Sequence, residues 1–251
     1  MAILIYGRIN TSLESYQNML SHIVQGHDAD FFIVCEKNTD DDVMHEVYKL
    51  YNPKVMFKSD ENVKIDITKY KSFPETNRMN TMYMFLSQLK LKQVINEYIR
   101  NTGTNYNMLI TTRMDMVLHD LIDLGKFMPY VNKGILSIPN QDMDHRGGMC
   151  GYFAIGDLNA ISIYLSVYNS IYNLLEGYVI LHPEFLIACH LKSSYIEVYR
   201  FIMKCSRIVF KDDAISFAEF SKVMLESKDM MDPRFVRFRQ ATKKPSIKLI
   251  I

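Results

Sequence analysis

Four short stretches of this 251-residue chain carry the residue types that polar chemistry needs. The first is Arg113-Met114-Asp115, which directly follows the apolar run Asn107-Met108-Leu109-Ile110-Thr111-Thr112. A carboxylate at the mouth of a buried strand is poorly solvated unless a cation or donor meets it. A divalent metal bridging Asp115 to a diphosphate would meet that need and neutralise a leaving group. Arg113, one pleat away, would reach the same phosphates. The triplet reads equally as an Arg–Asp surface pair at a strand end. The second stretch, Asp142-Met143-Asp144-His145-Arg146-Gly147-Gly148, pairs two acids with a possible nitrogen ligand. Asp and Gly also make solvated turns, so it reads either as part of an acceptor or metal region or as a plain loop. In the third, His182-Pro183-Glu184, proline suits the first turn of a helix. Glu184 is then a cap and dipole partner, which the pattern favours, or a general base aimed into a cleft. The fourth is Tyr6-Gly7-Arg8, where glycine lets backbone approach a ligand and arginine can grip phosphate in a two-pronged geometry.

The elements that must position these residues read as an α/β fold. Residues 2–9 are an apolar run with both faces buried, as in a parallel sheet. Thr11 or Ser12 caps a helix carrying Leu13, Tyr16, Met19, Leu20 and Ile23. A second buried strand spans 29–36, and a helix opened by Asp40 to Asp42 ends at Pro53. A short strand at 54–57 follows, then a polar loop over 58–76. The spacing predicts a long helix over 77–100 with Met79, Met82, Phe85 or Leu86, and Leu89 inward, ended by Gly103. The central strand at 107–112 runs into Arg113. Further strands are expected at 134–138, 152–155 and 195–201, with helices near 157–175 and 183–192. Strand–helix alternation of this kind gives a mostly parallel central sheet flanked by helices, a Rossmann-type single domain. Ligands of such a sheet bind beyond the carboxyl ends of the strands. That rule selects Tyr6-Gly7-Arg8, Glu36 with Lys37, Arg113 to Asp115 and the loop after 134–138. Neither GxGxxG nor GxxxxGK[ST] is present, which argues against a dinucleotide enzyme or a P-loop phosphohydrolase.

Bulk composition narrows the partners. With 29 basic and 28 acidic residues, a net charge of +1 leaves no broad footprint for nucleic acid. The basic stretch 233–251, with Arg234, Arg237, Arg239, Lys243 and Lys244, reads as a tail after a domain over 1–232. Cys35, Cys150, Cys189 and Cys205 form no CxxC pair, so buried free thiols in a reducing compartment are expected. No apolar run is long enough for a membrane span, and residues 1–6 lack a basic leader. The expected location is the cytoplasm.

Three segments together resemble a group of GT-A-type glycosyltransferases found in surface-polysaccharide gene clusters and in large DNA viruses. One is the opening strand ending in Gly7-Arg8, with a helix and then Ala29-Asp30-Phe31-Phe32-Ile33. Another, Tyr106 through Asp115, is similar to that family's "YD-apolar-apolar-RxRPD" strand, whose last Asp replaces the second acid of the usual DxD. The last runs Gly151-Tyr152-Phe153-Ala154-Ile155-Gly156, a Tyr-rich helix, then His182-Pro183-Glu184-Phe185-Leu186, similar to "DxFAIG … PExLL". The resemblance covers residues 2 to 200. It implies a nucleotide-sugar donor, UDP-sugar before GDP-sugar, with Mn²⁺ or Mg²⁺, and a saccharide or glycoprotein glycan as acceptor. On that pattern Tyr6, Gly7, Arg8 and Glu36 surround the nucleoside, with Arg78 and Arg113 completing the donor-binding set. Asp115 and His145 form the metal set, and Glu184 and Asp144 the catalytic set. Glu184 falls where inverting members carry a catalytic acid at a helix start, which raises it from cap to base. Two positions depart from the pattern: Arg113 stands at the first DxD acid, and Gly151 where an acid often precedes FAIG. Those losses leave a catalytically inactive nucleotide- or glycan-binding module as the alternative.

Overall fold

The computed structural model describes residues 1–7, 12–59, 62–73, 76–140 and 148–207. Strand β1 (Ala2–Gly7) has its first five residues buried, as a strand covered on both faces requires. Helix α1 (Ser12–Met19) runs directly into a π-helical turn at Leu20–Val24. Strand β2 (Asp30–Cys35), helix α2 (Asp41–Tyr51) and strand β3 (Val55–Lys58) continue the alternation. The Asp40 side chain accepts the Asp42 N–H and so starts α2, with Asp41 and Asp42 in its positive first turn. Asn52, left-handed at φ 42°, ends α2 one residue before Pro53.

Helix α3 (Arg78–Thr102) starts where the Asn77 side chain accepts from the Asn80 N–H, and Gly103 closes it at φ 69°. Met82, Phe85, Leu86, Leu91 and Ile95 form its buried face. Met79, expected inward, is instead 42% exposed. Six residues of helical rotation place it roughly 120° around the axis from Phe85. Next come β4 (Leu109–Arg113), β5 (Met116–Leu118), the short helix α4 (Met128–Val131), β6 (Leu136–Pro139) and β7 (Phe153–Gly156). The helix expected over 157–175 is two, α5 (Leu158–Tyr164) and α6 (Val167–Glu176). Ser166 separates them, its hydroxyl donating back to the Ile163 carbonyl at 2.8 Å, a local bond that competes with helix continuation. Helix α7 (Pro183–Ser193), β8 (Val198–Phe201) and β9 (Cys205–Arg207) complete the described chain.

Seven strands form one sheet in the order β3-β2-β1-β4-β7-β6-β8. Strands β3, β2, β1 and β4 are parallel neighbours, and β8 is parallel to β6. Strand β7 runs against both β4 and β6. The protein is thus a mixed, mostly parallel α/β unit, and these pairings bring the carboxyl ends of β1, β2, β3, β4, β6 and β8 to one edge. The amino end of β7 joins them there.

A second sheet of two strands, β5 and β9, was not legible in the sequence. Asn18 braces it by acting like a strand residue. Its amide donates to the Leu118 carbonyl at 2.8 Å and accepts from the Leu118 N–H at 2.7 Å. Cys35, Cys150 and Cys205 are buried free thiols and Cys189 is partly buried. Among the described residues no helix is long and apolar enough to cross a membrane. The expected boundary at 232 and the basic tail lie outside the described residues.

Candidate active site

The mouth of β4 carries a largely buried, oppositely charged pair, Arg113 and Asp115. Register pairs Tyr6 with Arg113, and the Met114 N–H extends the ladder by donating to the Tyr6 carbonyl at 3.1 Å. Arg113 then turns onto Asp115 as a two-pronged pair: Nε to Oδ1 at 2.7 Å and Nη2 to Oδ2 at 2.6 Å. Both side chains are largely buried, at 18% and 11% exposure. Burial opposes the guanidinium's charge, but the carboxylates of Asp115 and Glu36 outweigh it and hold Arg113 above its ordinary range. Glu36 is half-buried just past β2, near enough for its charge to act on the same group. Gly7 sits beside them with φ at 113°, a conformation that side-chain-bearing residues rarely adopt. Among the described residues nothing lies within 4 Å of where a Cβ would stand.

The second charged group lies at the start of α7. Glu184 Oε2 approaches His182 Nδ1 at 2.5 Å, with His182 edge-on to Phe73. Neither atom has a further hydrogen-bond partner among the described residues. The Met149 N–H donates to the Glu184 carbonyl at 3.0 Å, which ties the helix start to the segment entering β7. That segment borders Tyr6, whose hydroxyl donates to the Gly151 carbonyl. Glu184 and the β4 mouth are therefore linked through 149–151. At Gly151 a Cβ would meet Ile187 Cδ1 at 3.1 Å, so a side chain there would need Ile187 on α7 to shift.

Other expected site residues have different roles. Tyr6 is 1% exposed and belongs to the core. Its hydroxyl also accepts from Gln88 Nε2 at 2.8 Å, and burial pushes its pKa above the ordinary range. Only its backbone reaches the ligand edge, which corrects the expectation that its side chain faces the nucleoside. Arg78 is held against the preceding loop. Its Nε donates to Ser72 Oγ at 2.8 Å and Nη1 to the Thr68 carbonyl at 2.8 Å. Arg8, Asp142, Asp144 and His145 lie outside the described residues. His182 and Gln88 were missed. A histidine two residues before a helix-start glutamate, and a glutamine within the apolar stripe of α3, were the available signals.

The Arg113–Asp115 geometry tests the expected metal directly. Both Asp115 oxygens are bonded by one guanidinium. The guanidinium's charge offsets that of the carboxylate and so weakens the attraction a divalent ion would find there. Among the described residues no three His, Cys, Asp or Glu side chains are grouped to hold a metal. The described residues do not fit a divalent cation on Asp115. Farther along the same edge, a cleft of about 320 Å³ lies beside the ends of β6 and β8, lined by Phe127, Asn140, Tyr199, Arg200 and Phe201 among others.

No protein-family model matches the chain, and no curated protein matches it. Among solved structures it is similar to one from Desulfovibrio desulfuricans G20, described as a candidate nucleotide-diphospho-sugar transferase. The TM-score is 0.43 and the identity 12%, over 80% of this chain and 79% of that one. A likeness that distant identifies no residue of this site.

Proposed function

We propose that this protein is a GT-A-like glycosyltransferase that moves a sugar from a nucleotide diphosphate, UDP before GDP, onto a glycan acceptor. The observation that carries the reading is the pairing of two unlike charged groups on one sheet edge. One is a guanidinium fixed at the β4 mouth. The other is the helix-start carboxylate of Glu184, set against the His182 imidazole. Glu36, an acceptor-only group, suits ribose hydroxyls, and the backbone at Gly7, which no described residue crowds, suits a phosphate or ribose against β1.

In the transfer, Glu184 takes the proton of the acceptor hydroxyl, and that oxygen attacks the anomeric carbon. The bond from that carbon to the diphosphate breaks, and the departing oxygen's charge is met by Arg113. Attack from the face opposite the diphosphate inverts the anomeric centre. The aromatic-lined cleft beside β8 is the place for the acceptor.

The test is a panel of nucleotide sugars, each scored for thermal stabilisation of the full chain and for sugar transfer or donor hydrolysis. Stabilisation by one nucleotide class together with turnover supports the reading. Stabilisation without turnover over the whole panel replaces it with the inactive binding module. No stabilisation by any member removes both.

A further inference from the structure

We infer that this site takes up its diphosphate without a divalent cation, with the Arg113 guanidinium, anchored by Asp115, as the fixed positive charge. The inference rests on the transferase reading above and concerns what replaces the metal. A guanidinium carries five N–H donors, and the pair with Asp115 uses one each from Nε and Nη2. The remaining three, two on Nη1 and one on Nη2, lie along the other edges of the same plane. They are oriented in advance because both Asp115 oxygens hold the group still. A metal site built on two acids keeps its negative charges for the ion. Here the first of those positions is a cation, and it consumes the second. Asp115 is thus an anchor for the arginine and has no oxygen left free of it.

Anchoring also suits anion binding. A long side chain that is already ordered loses little further rotamer freedom when a phosphate arrives. Arg113 occupies the register position beside Tyr6, one residue from Gly7, whose backbone no described residue crowds. Glu36, whose charge acts on the same guanidinium, lacks a donor and so suits hydroxyls and not phosphate oxygens. Its negative charge keeps the phosphates to the arginine's remaining edges.

The experiment titrates UDP, GDP and pyrophosphate calorimetrically into the full chain, once in EDTA and once in millimolar Mn²⁺. We expect the same ligand to bind in both buffers with affinities within about threefold. Arg113→Lys, which keeps the charge but not the planar fork, is expected to weaken binding by about tenfold or more in EDTA. Binding that appears only with Mn²⁺ overturns the inference and leaves the transferase reading standing. Absence of binding in both buffers removes the transferase reading and the inference with it. The wild-type comparison decides between these outcomes even if the lysine variant fails to fold.

Discussion

Arg113–Asp115 and His182–Glu184 stand on the same edge of the sheet, and each joins a nitrogen base to a carboxylate two residues away. Their geometries differ in kind. The first pair is bidentate, largely buried and aligned, so both carboxylate oxygens are satisfied. The second meets through one pair of atoms, His182 Nδ1 and Glu184 Oε2, and neither has a further partner among the described residues. Arginine never gives up its proton in a protein, whereas imidazole and carboxylate exchange theirs readily. The closed pair is therefore suited to holding charge still, and the open one to moving a proton. A single sheet edge carrying both divides the labour of transfer between leaving group and nucleophile.

The most severe way to break this comparison is Glu184→Gln. We expect donor binding to be retained while transfer falls by roughly 10²–10⁴-fold, the usual worth of a general base. The measurement is kcat beside the donor's binding constant. A near-normal kcat would return Glu184 to a helix cap and leave the edge without its base. Stability should change little, because glutamine keeps the side chain's size and loses only a carboxylate in the first turn of α7.

The closed pair responds in the opposite sense, through stability. Removing one partner strands a buried charge, so Asp115→Leu and Arg113→Met should each cost about 3 kcal/mol in urea unfolding. The double variant, with both charges gone, should recover most of that loss. Additive losses in the double variant would mean that the two side chains act separately, and the anchor would then be no more than a neighbour.

The sequence disclosed these two pairs unequally, for physical reasons. Strands β1, β2 and β4 were legible because buried parallel strands are written as short unbroken apolar runs. The ends of α2 and α3 were legible because Asp40, Asn77 and Gly103 act on backbone only a few residues away. Arg113, Asp115 and Glu184 could be picked out, but the partner of each could not. Whether Asp115 turns to a metal or to Arg113 depends on side-chain rotation, which spacing does not encode. The β5–β9 sheet depends on Asn18 reaching Leu118, a hundred residues away. Tyr6 looked like a ligand residue because it ends β1. Its side chain is claimed by Gln88 and Gly151, which are distant in sequence.

The smallest expected effect concerns the seat of α7, which carries Glu184 at its start and His190 near its end. His190 is 5% exposed; its Nδ1 lies 2.9 Å from Ser170 Oγ and its Nε2 2.9 Å from the Ile163 carbonyl. Burial lowers its pKa from the ordinary 6.5, against the Ile163 carbonyl, which favours the charged ring, and together with repulsion from Lys92. The folded chain thus holds His190 neutral, and the unfolded chain binds its proton more readily. Stability from this group is complete above about pH 6.5 and is lost as the pH falls through the folded value. The thermal midpoint should fall by about 3 °C between pH 7.5 and 5.5. His190→Gln, which can still bond Ser170 and Ile163 but does not titrate, should flatten that fall and leave the pH profile of transfer as it was. If the profile of transfer moved with His190, proton transfer at the open pair would depend on the far end of its helix. The division between a still pair and a moving one would then extend beyond the sheet edge. If the midpoint fell just as steeply in the glutamine variant, the acid sensitivity would belong to another group and the seat of α7 would not titrate in this range.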